Sequence, residues 1–179
     1  MSEESSTIRY VLWLLPPDDV RRRLAGLISE LAEANETERF DPHITLLDGL
    51  SGDESQIRDR THELALGLAP LDLRLTHADH LDEFHRALFI HVEPSAALTA
   101  AHRTARSFFT PPETREFMPH LSLLYGNQPT AAKEAAIDRM GQAFNLDIRV
   151  THLLLVAIAS PRPGDWRYLA RFRLGCDAS

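Results

Sequence analysis

Two ten-residue stretches carry the residues best suited to chemistry. Phe40-Asp41-Pro42-His43-Ile44-Thr45-Leu46-Leu47-Asp48-Gly49 is matched, without a gap, by Phe117-Met118-Pro119-His120-Leu121-Ser122-Leu123-Leu124-Tyr125-Gly126, at an offset of 77 residues (43 to 120). Both read Phe-x-Pro-His-apolar-hydroxyl-Leu-Leu-x-Gly. Apolar β-formers with a polar residue at every second position predict a strand. Side chains alternate faces along a strand, so His43 shares a surface with Thr45, and His120 with Ser122, each imidazole about 6.5–7 Å from its hydroxyl. A lone histidine in a strand is most simply a hydrogen-bonded structural residue. Duplication changes that expectation. Two copies related by a pseudo-two-fold axis would set their histidines across one groove.

Such a groove suits phosphodiester cleavage. In-line displacement at phosphorus puts the attacking and leaving oxygens on opposite sides. One group takes a proton from the attacking water and another gives one to the leaving oxygen. Histidine can do either at neutral pH. His43 and His120 are therefore the candidate acid/base pair, and which is acid and which is base stays open. Thr45 and Ser122 are candidate donors to the non-bridging phosphate oxygens.

Metal chemistry is the rival. Two histidines and two hydroxyls make a poor zinc set, because zinc prefers His, Cys and carboxylate, so neither a metal nor any other cofactor is expected. Asp48 lies near the first motif but on the opposite strand parity to His43. His77, His80 and His85 have spacings that metals use, yet the stretch is polar and without cysteine, and a solvated surface is the plainer expectation. His62, His91, His102 and His152 have no paired context and read as structural or surface residues. Arg115, just ahead of the second motif, is a candidate phosphate partner whose simpler reading is a solvated charge. Cys176 has no nucleophile motif around it, and there is no glycine-rich phosphate loop.

The elements that must hold these residues alternate between strand and helix. Residues 8–15 form a short apolar run ended by Pro16-Pro17, a buried strand. Asp18 is placed to cap a helix with Val20, Leu24, Leu27, Ile28 and Leu31 on its apolar side. After the first motif, Leu50-Ser51-Gly52-Asp53 turns into a second helix through Ile57, Thr61, Leu64 and Leu68, which Pro70 stops. Leu71, Leu73 and Leu75 then alternate with polar residues as a half-buried strand. The order recurs. A strand at 87–92 leads to a helix entered at Pro94-Ser95, with Leu98, Ala101, Ala105 and Phe108 along one face. The second motif comes next, then a helix from Pro129-Thr130 using Ala136, Met140, Ala143 and Phe144. A long strand at 148–159, a turn at 161–165 and a closing strand at 166–174 end the chain. The same offset pairs Pro17 with Pro94, Asp18 with Ser95, Leu71 with Ile148 and Leu73 with Val150. The prediction is an α+β fold in which residues 1–179 form one domain of two pseudo-symmetric lobes. Each lobe is antiparallel sheet backed by two helices, the cleft lies between them, and the chain crosses over in the polar stretch 77–85.

The totals exclude some partners. At 179 residues the chain can bury a core without metals or disulfides. A net charge of −7 argues against a long nucleic-acid duplex, which is bound through many lysines and arginines, but leaves a small phosphate ligand open. Arg167, Arg171 and Arg173 alternate along the last strand and could form a local basic strip, an exposed edge strand being the plainer account. The single cysteine cannot form an internal disulfide, and the apolar run 10–15 is far too short to span a membrane. A cytoplasmic monomer is expected.

The paired strings Pro42-His43-Ile44-Thr45 and Pro119-His120-Leu121-Ser122 resemble the two-histidine phosphoesterase superfamily, which carries two His-x-Thr/Ser motifs in two similar lobes. Met118-Pro119-His120-Leu121-Ser122-Leu123-Leu124-Tyr125, the run from Tyr10 through Trp13 to Pro16, and Trp166 are similar to the plant and yeast type of cyclic phosphodiesterase. The resemblance spans nearly the whole chain. It implies metal-independent hydrolysis of a small cyclic phosphate, such as ADP-ribose 1″,2″-cyclic phosphate or a nucleoside 2′,3′-cyclic phosphate. It also implies a substrate-contacting role for Tyr125, although regular alternation puts Tyr125 on the face opposite His120 unless the strand bends before Gly126. Two competitors remain: the same chemistry on RNA ends or 2′–5′ linkages, and a catalytically silent nucleotide-binding module.

Overall fold

The apolar run after Arg9 becomes β1 (Arg9–Leu14), buried from Tyr10 onward. It is covered on both sides. Tyr10, Leu12 and Leu14 enter the main core, and Val11 and Trp13 join Leu15, Leu154 and Val156 in a smaller cluster on the other face. The computed structural model describes residues 8–111 and 116–175, so the expectations for Arg115 and Cys176 lie outside the described residues.

Helix α1 (Asp18–Ala34) comes after Pro17, which occupies the N-cap position. The expected cap by Asp18 does not form: Asp18 stands inside the first turn and accepts from Arg21 at 3.2 Å. Strand β2 (Ile44–Leu50) leads to α2 (Glu54–Gly67), capped by Asp53, whose Oδ1 accepts from the Gln56 amide at 3.0 Å. Next come β3 (Leu71–Asp79), a 3₁₀ turn (Phe84–Arg86) and β4 (Leu88–Val92). Helix α3 (Ala96–Phe109) is capped by Ser95, whose Oγ accepts from the Leu98 amide at 3.1 Å, unlike its equivalent α1. After β5 (His120–Leu124), α4 (Thr130–Met140) ends where Gly141 takes a φ of 83°. Ala143 and Phe144, expected on that helix, therefore start β6 (Ala143–Val150). Strands β7 (His152–Ile158) and β8 (Trp166–Arg173) complete the chain.

All eight strands form one open antiparallel sheet in the order β6-β3-β4-β5-β2-β1-β7-β8. The two motif strands meet in the middle at Ile44 and Leu121. Helix α1 packs against β5 and α3 against β2, so each helix reaches across that seam. The fold is α+β with two similar half-sheets about a central seam, as the sequence predicts.

The half-sheets are not the two halves of the sequence, however. Strand β3, which the repeat aligns with β6, lies beside it in the same half: Leu71 faces Val150 and Leu73 faces Ile148. Exposed ion pairs flank that ladder, Asp72 with Arg149 at 2.8 Å and Arg74 with Asp147 at 3.0 Å. The expected long strand 148–159 is broken at Thr151, and its second part, β7, pairs with β1 in the other half. The chain thus crosses between half-sheets after α2 and again at Thr151, not at 77–85. Residues 77–79 are strand, and the turn begins only at His80.

Candidate active site

An X-Pro-His sequence shapes each half of the site. Proline fixes its own φ and keeps the residue before it extended, which brings that residue's carbonyl beneath the histidine ring. His43 Nδ1 donates to the Asp41 carbonyl at 2.7 Å, and His120 Nδ1 donates to the Met118 carbonyl at 2.8 Å. A carbonyl only accepts, so Nδ1 holds the proton and Nε2 carries the lone pair. Both rings line one cavity of about 360 Å³ at the seam, a size that suits a nucleotide.

The neighbouring strands supply the backing. Trp13 of β1 pairs with Thr45, and Phe89 of β4 pairs with Ser122. Trp13 stacks on His43 with centroids 3.6 Å apart and planes 12° apart, whereas Phe89 meets His120 edge-on at 5.4 Å. Burial drives the His43 pKa down to about 3, against the pull of the Asp41 carbonyl, with the His120 charge adding to the fall. His120 is also lowered by burial, opposed by the Met118 carbonyl and helped by the Arg86 charge.

A matched pair of bulges decides which later side chains reach the cavity. Along β1 and β2, Leu12 faces Leu47 but Trp13 faces Thr45, so Leu46 is an extra residue. Leu88 faces Leu124 and Phe89 faces Ser122, which makes Leu123 the extra residue of β5. Each bulge reverses the parity of the residues after it. Tyr125 accordingly comes round to the cavity, stacked on Phe40 at 3.9 Å, and burial raises the pKa of its phenol. Asp48, its equivalent in the first motif, also lines the cavity, against the expectation from regular alternation.

The two hydroxyls part company. Thr45 lines the cavity, and its hydroxyl has no hydrogen-bond partner among the described residues. Ser122 is buried, and its Oγ donates to the His85 carbonyl at 2.9 Å. Its one proton is thus engaged, and a phosphate role for Ser122 requires the hydroxyl to leave that bond.

Several lining residues escape a sequence reading. His85 enters on the 3₁₀ turn, donating to the Pro161 carbonyl, and burial lowers its pKa. His102 donates from Nδ1 to the carbonyl of the bulge residue Leu46 at 2.8 Å, and stacks on Phe117 at 3.9 Å. Arg9, Arg86 and Trp166 are also among the lining residues. His77, His80 and His85 do not converge among the described residues, as the plainer expectation of a solvated stretch had it. The basic strip is also interrupted. A bulge between Ala170 and Tyr168 puts Arg167 on the opposite face from Arg171 and Arg173, where it pairs with Glu54 at 3.1 Å.

The sequence profile of the 2′-5′ RNA ligase superfamily matches residues 16–161. The chain belongs to this superfamily, the two-histidine phosphoesterases. It is 26% identical over 148 residues to the cyclic phosphodiesterase of Arabidopsis thaliana, covering 81% of this chain and 78% of that protein. Among solved structures, Escherichia coli LigT with 3′-AMP superposes with a TM-score of 0.68 at 17% identity, over 94% of this chain and 98% of that one. The TT0787 protein of Thermus thermophilus gives 0.65 at 18% identity, over 94% and 99%. These two share the fold of this two-histidine phosphoesterase. Among its described residues, no helix is long and apolar enough to cross a membrane.

Proposed function

We propose that this protein is a metal-independent cyclic phosphodiesterase acting on a small nucleotide-derived cyclic phosphate, with residues 1–179 working as one two-lobed domain and as a cytoplasmic monomer. The observation that carries the proposal is the pair of Nδ1-anchored imidazoles, each with its Nε2 lone pair left for a ligand, lining one nucleotide-sized cavity. The name of the Arabidopsis relative supports the reaction. The small nucleotides in E. coli LigT structures, 3′-AMP, ATP and NADP⁺, support the ligand class.

The surroundings support a division of roles. His43, buried under Trp13 and unprotonated at neutral pH, is the general base. Its Nε2 takes a proton as the oxygen of water attacks phosphorus. The ring P–O bond breaks on the far side, and His120, which must first take up a second proton on Nε2 because Nδ1 already holds one, gives that proton to the leaving oxygen. The product is a phosphomonoester beside a free hydroxyl. Thr45 donates to a non-bridging oxygen, and Tyr125 and Trp166 offer ring faces to the rest of the nucleotide.

Turnover of a nucleoside 2′,3′-cyclic phosphate, ADP-ribose 1″,2″-cyclic phosphate and an RNA ending in a cyclic phosphate, measured side by side in EDTA, tests the reading. Hydrolysis of a small substrate with the chelator present is expected. Turnover of the RNA alone would make the enzyme an RNA-end phosphodiesterase. Binding of nucleotide without turnover of any substrate would make it a silent module, and rescue only by added zinc or manganese would contradict the metal-free mechanism.

A further inference from the structure

Beyond the cleft, the sheet carries a second convergence of ligating side chains. Regular alternation would point His77 and Asp79 of β3 to the buried side with Leu73 and Leu75. Between Leu75 facing Val92 and Ala78 facing Ile90, β3 spends three residues against two on β4. That bulge turns His77 and Asp79 toward His91 of β4. One ligand atom from each of the three lies within 4.8 Å of the others, and the two imidazoles stack at 4.5 Å.

The protons are arranged for ligation at two of these groups. Thr76 Oγ1 donates to the His91 carbonyl at 3.3 Å, so its contact of 3.1 Å with His77 Nδ1 is one in which Nδ1 donates. That leaves the lone pair of His77 on Nε2. Asp79 Oδ1 accepts from the His80 amide at 2.8 Å, and Oδ2 accepts from His91 Nε2 at 3.0 Å. Burial works against the carboxylate's charge, but these two hydrogen bonds outweigh it and hold the Asp79 pKa below its usual value. An ion at His91 Nε2 takes the place of the hydrogen bond to Asp79, with the imidazole proton then on Nδ1.

We propose that His77, Asp79 and His91 form a binding site for one divalent transition-metal ion of the zinc class. Two imidazole nitrogens and a carboxylate oxygen suit zinc, cobalt or nickel, whereas magnesium and calcium favour all-oxygen shells. Water fills the remaining positions, because His77 is exposed and its partners are half-buried. The site joins β3 to β4 and lies one strand from His120, which faces His91 across the β4–β5 ladder. It takes no part in the proposed hydrolysis.

Co²⁺ titrated into metal-stripped, full-length protein reports on the site through its visible d–d absorption, with Zn²⁺ as competitor. The expected result is one Co²⁺ per chain, displaced by Zn²⁺ and not by Mg²⁺. His77→Ala and Asp79→Asn each weaken binding by at least about tenfold, and His120→Ala leaves it intact. His77 is exposed, so the melting temperature of metal-free His77→Ala should match the native chain and show that the sheet is undisturbed. The proposal is overturned by absence of saturable Co²⁺ binding, by full-strength binding in His77→Ala, or by its loss in His120→Ala instead. Bound metal is the readout, so the result is independent of whether the protein hydrolyses any cyclic phosphate.

Discussion

The first and second motifs share a frame and differ in what presses on it. Each has an X-Pro-His anchor, a bulge two residues after the strand's first apolar position, and an aromatic on the next strand. In the first, Trp13 lies flat on His43, the ring is buried, and the hydroxyl of Thr45 faces the cavity unengaged. In the second, Phe89 touches His120 by its edge, Arg86 stands nearby, and Ser122 is tied to a backbone carbonyl. The shared frame thus provides symmetric geometry, and the unlike neighbours suit the two halves to the different work of the proposed mechanism. An acid and a base need that difference, because identical groups in identical surroundings hold their protons equally well.

The largest effect should come from removing either imidazole. His43→Ala and His120→Ala are each expected to lower kcat by about 10²–10⁴-fold, the usual contribution of general acid–base catalysis. The double variant should cost far less than the product of the two, because the pair acts as a unit. Near-normal turnover in one single variant would confine the chemistry to the other half of the site.

The hydroxyls sharpen the contrast. Thr45→Val should cost roughly 2–4 kcal/mol in kcat/KM, as loss of an oxyanion-type donor does, with the melting temperature unchanged. Ser122→Ala deletes the hydrogen bond from the buried Ser122 hydroxyl to the His85 carbonyl and should cost about 0.5–1.5 kcal/mol of stability. Measuring both quantities for both variants checks the assignment. Equal kinetic losses and equal stabilities would mean that the two hydroxyls grip phosphate alike.

A smaller effect appears in stability against pH. His43 has a pKa of about 3 when folded and an ordinary value of 6.5 when exposed. Between those values the unfolded chain binds the extra proton, so stability contributed by the neutral ring is complete above 6.5 and falls as pH drops toward 3. One such group steepens the fall by about 1.4 kcal/mol per pH unit. His43→Phe removes the titration, and urea unfolding at several pH values should show the shallower slope. An unchanged slope would mean that His43 is protonated in the folded protein.

The sequence carries the residue types and the frame well, because Phe-x-Pro-His-x-hydroxyl is a local pattern with local consequences. Strands at both motifs, the turn into α2 at Asp53, the entry to α3 at Ser95 and the apolar faces of α1 and α3 are legible from spacing alone, whereas the cap expected of Asp18 does not form. Register is not. Whether Leu46 and Leu123 are extra residues depends on β1 and β4, strands distant in the chain, so parity gives the wrong face for Asp48 and leaves Tyr125 undecided. The crossovers escape for a similar reason: β3 and β6 look like repeats of each other in sequence, and only their mutual pairing puts them in one half-sheet. Gly141 is a usable signal, since glycine after a helix marks its end and returns Ala143 and Phe144 to β6. The engagement of Ser122 with the His85 carbonyl leaves no mark in composition or spacing.

The central claim is that matched anchors and unmatched neighbours split the proton affinities of one histidine pair. NMR titration of imidazole carbon and nitrogen shifts in the full-length protein, assigned with His43→Phe and His120→Ala, tests it directly. The account expects His43 to stay neutral, with its proton on Nδ1, down to about pH 3, while His120 titrates separately from it and below the ordinary histidine value. Titration of both rings together near pH 6.5 would contradict it.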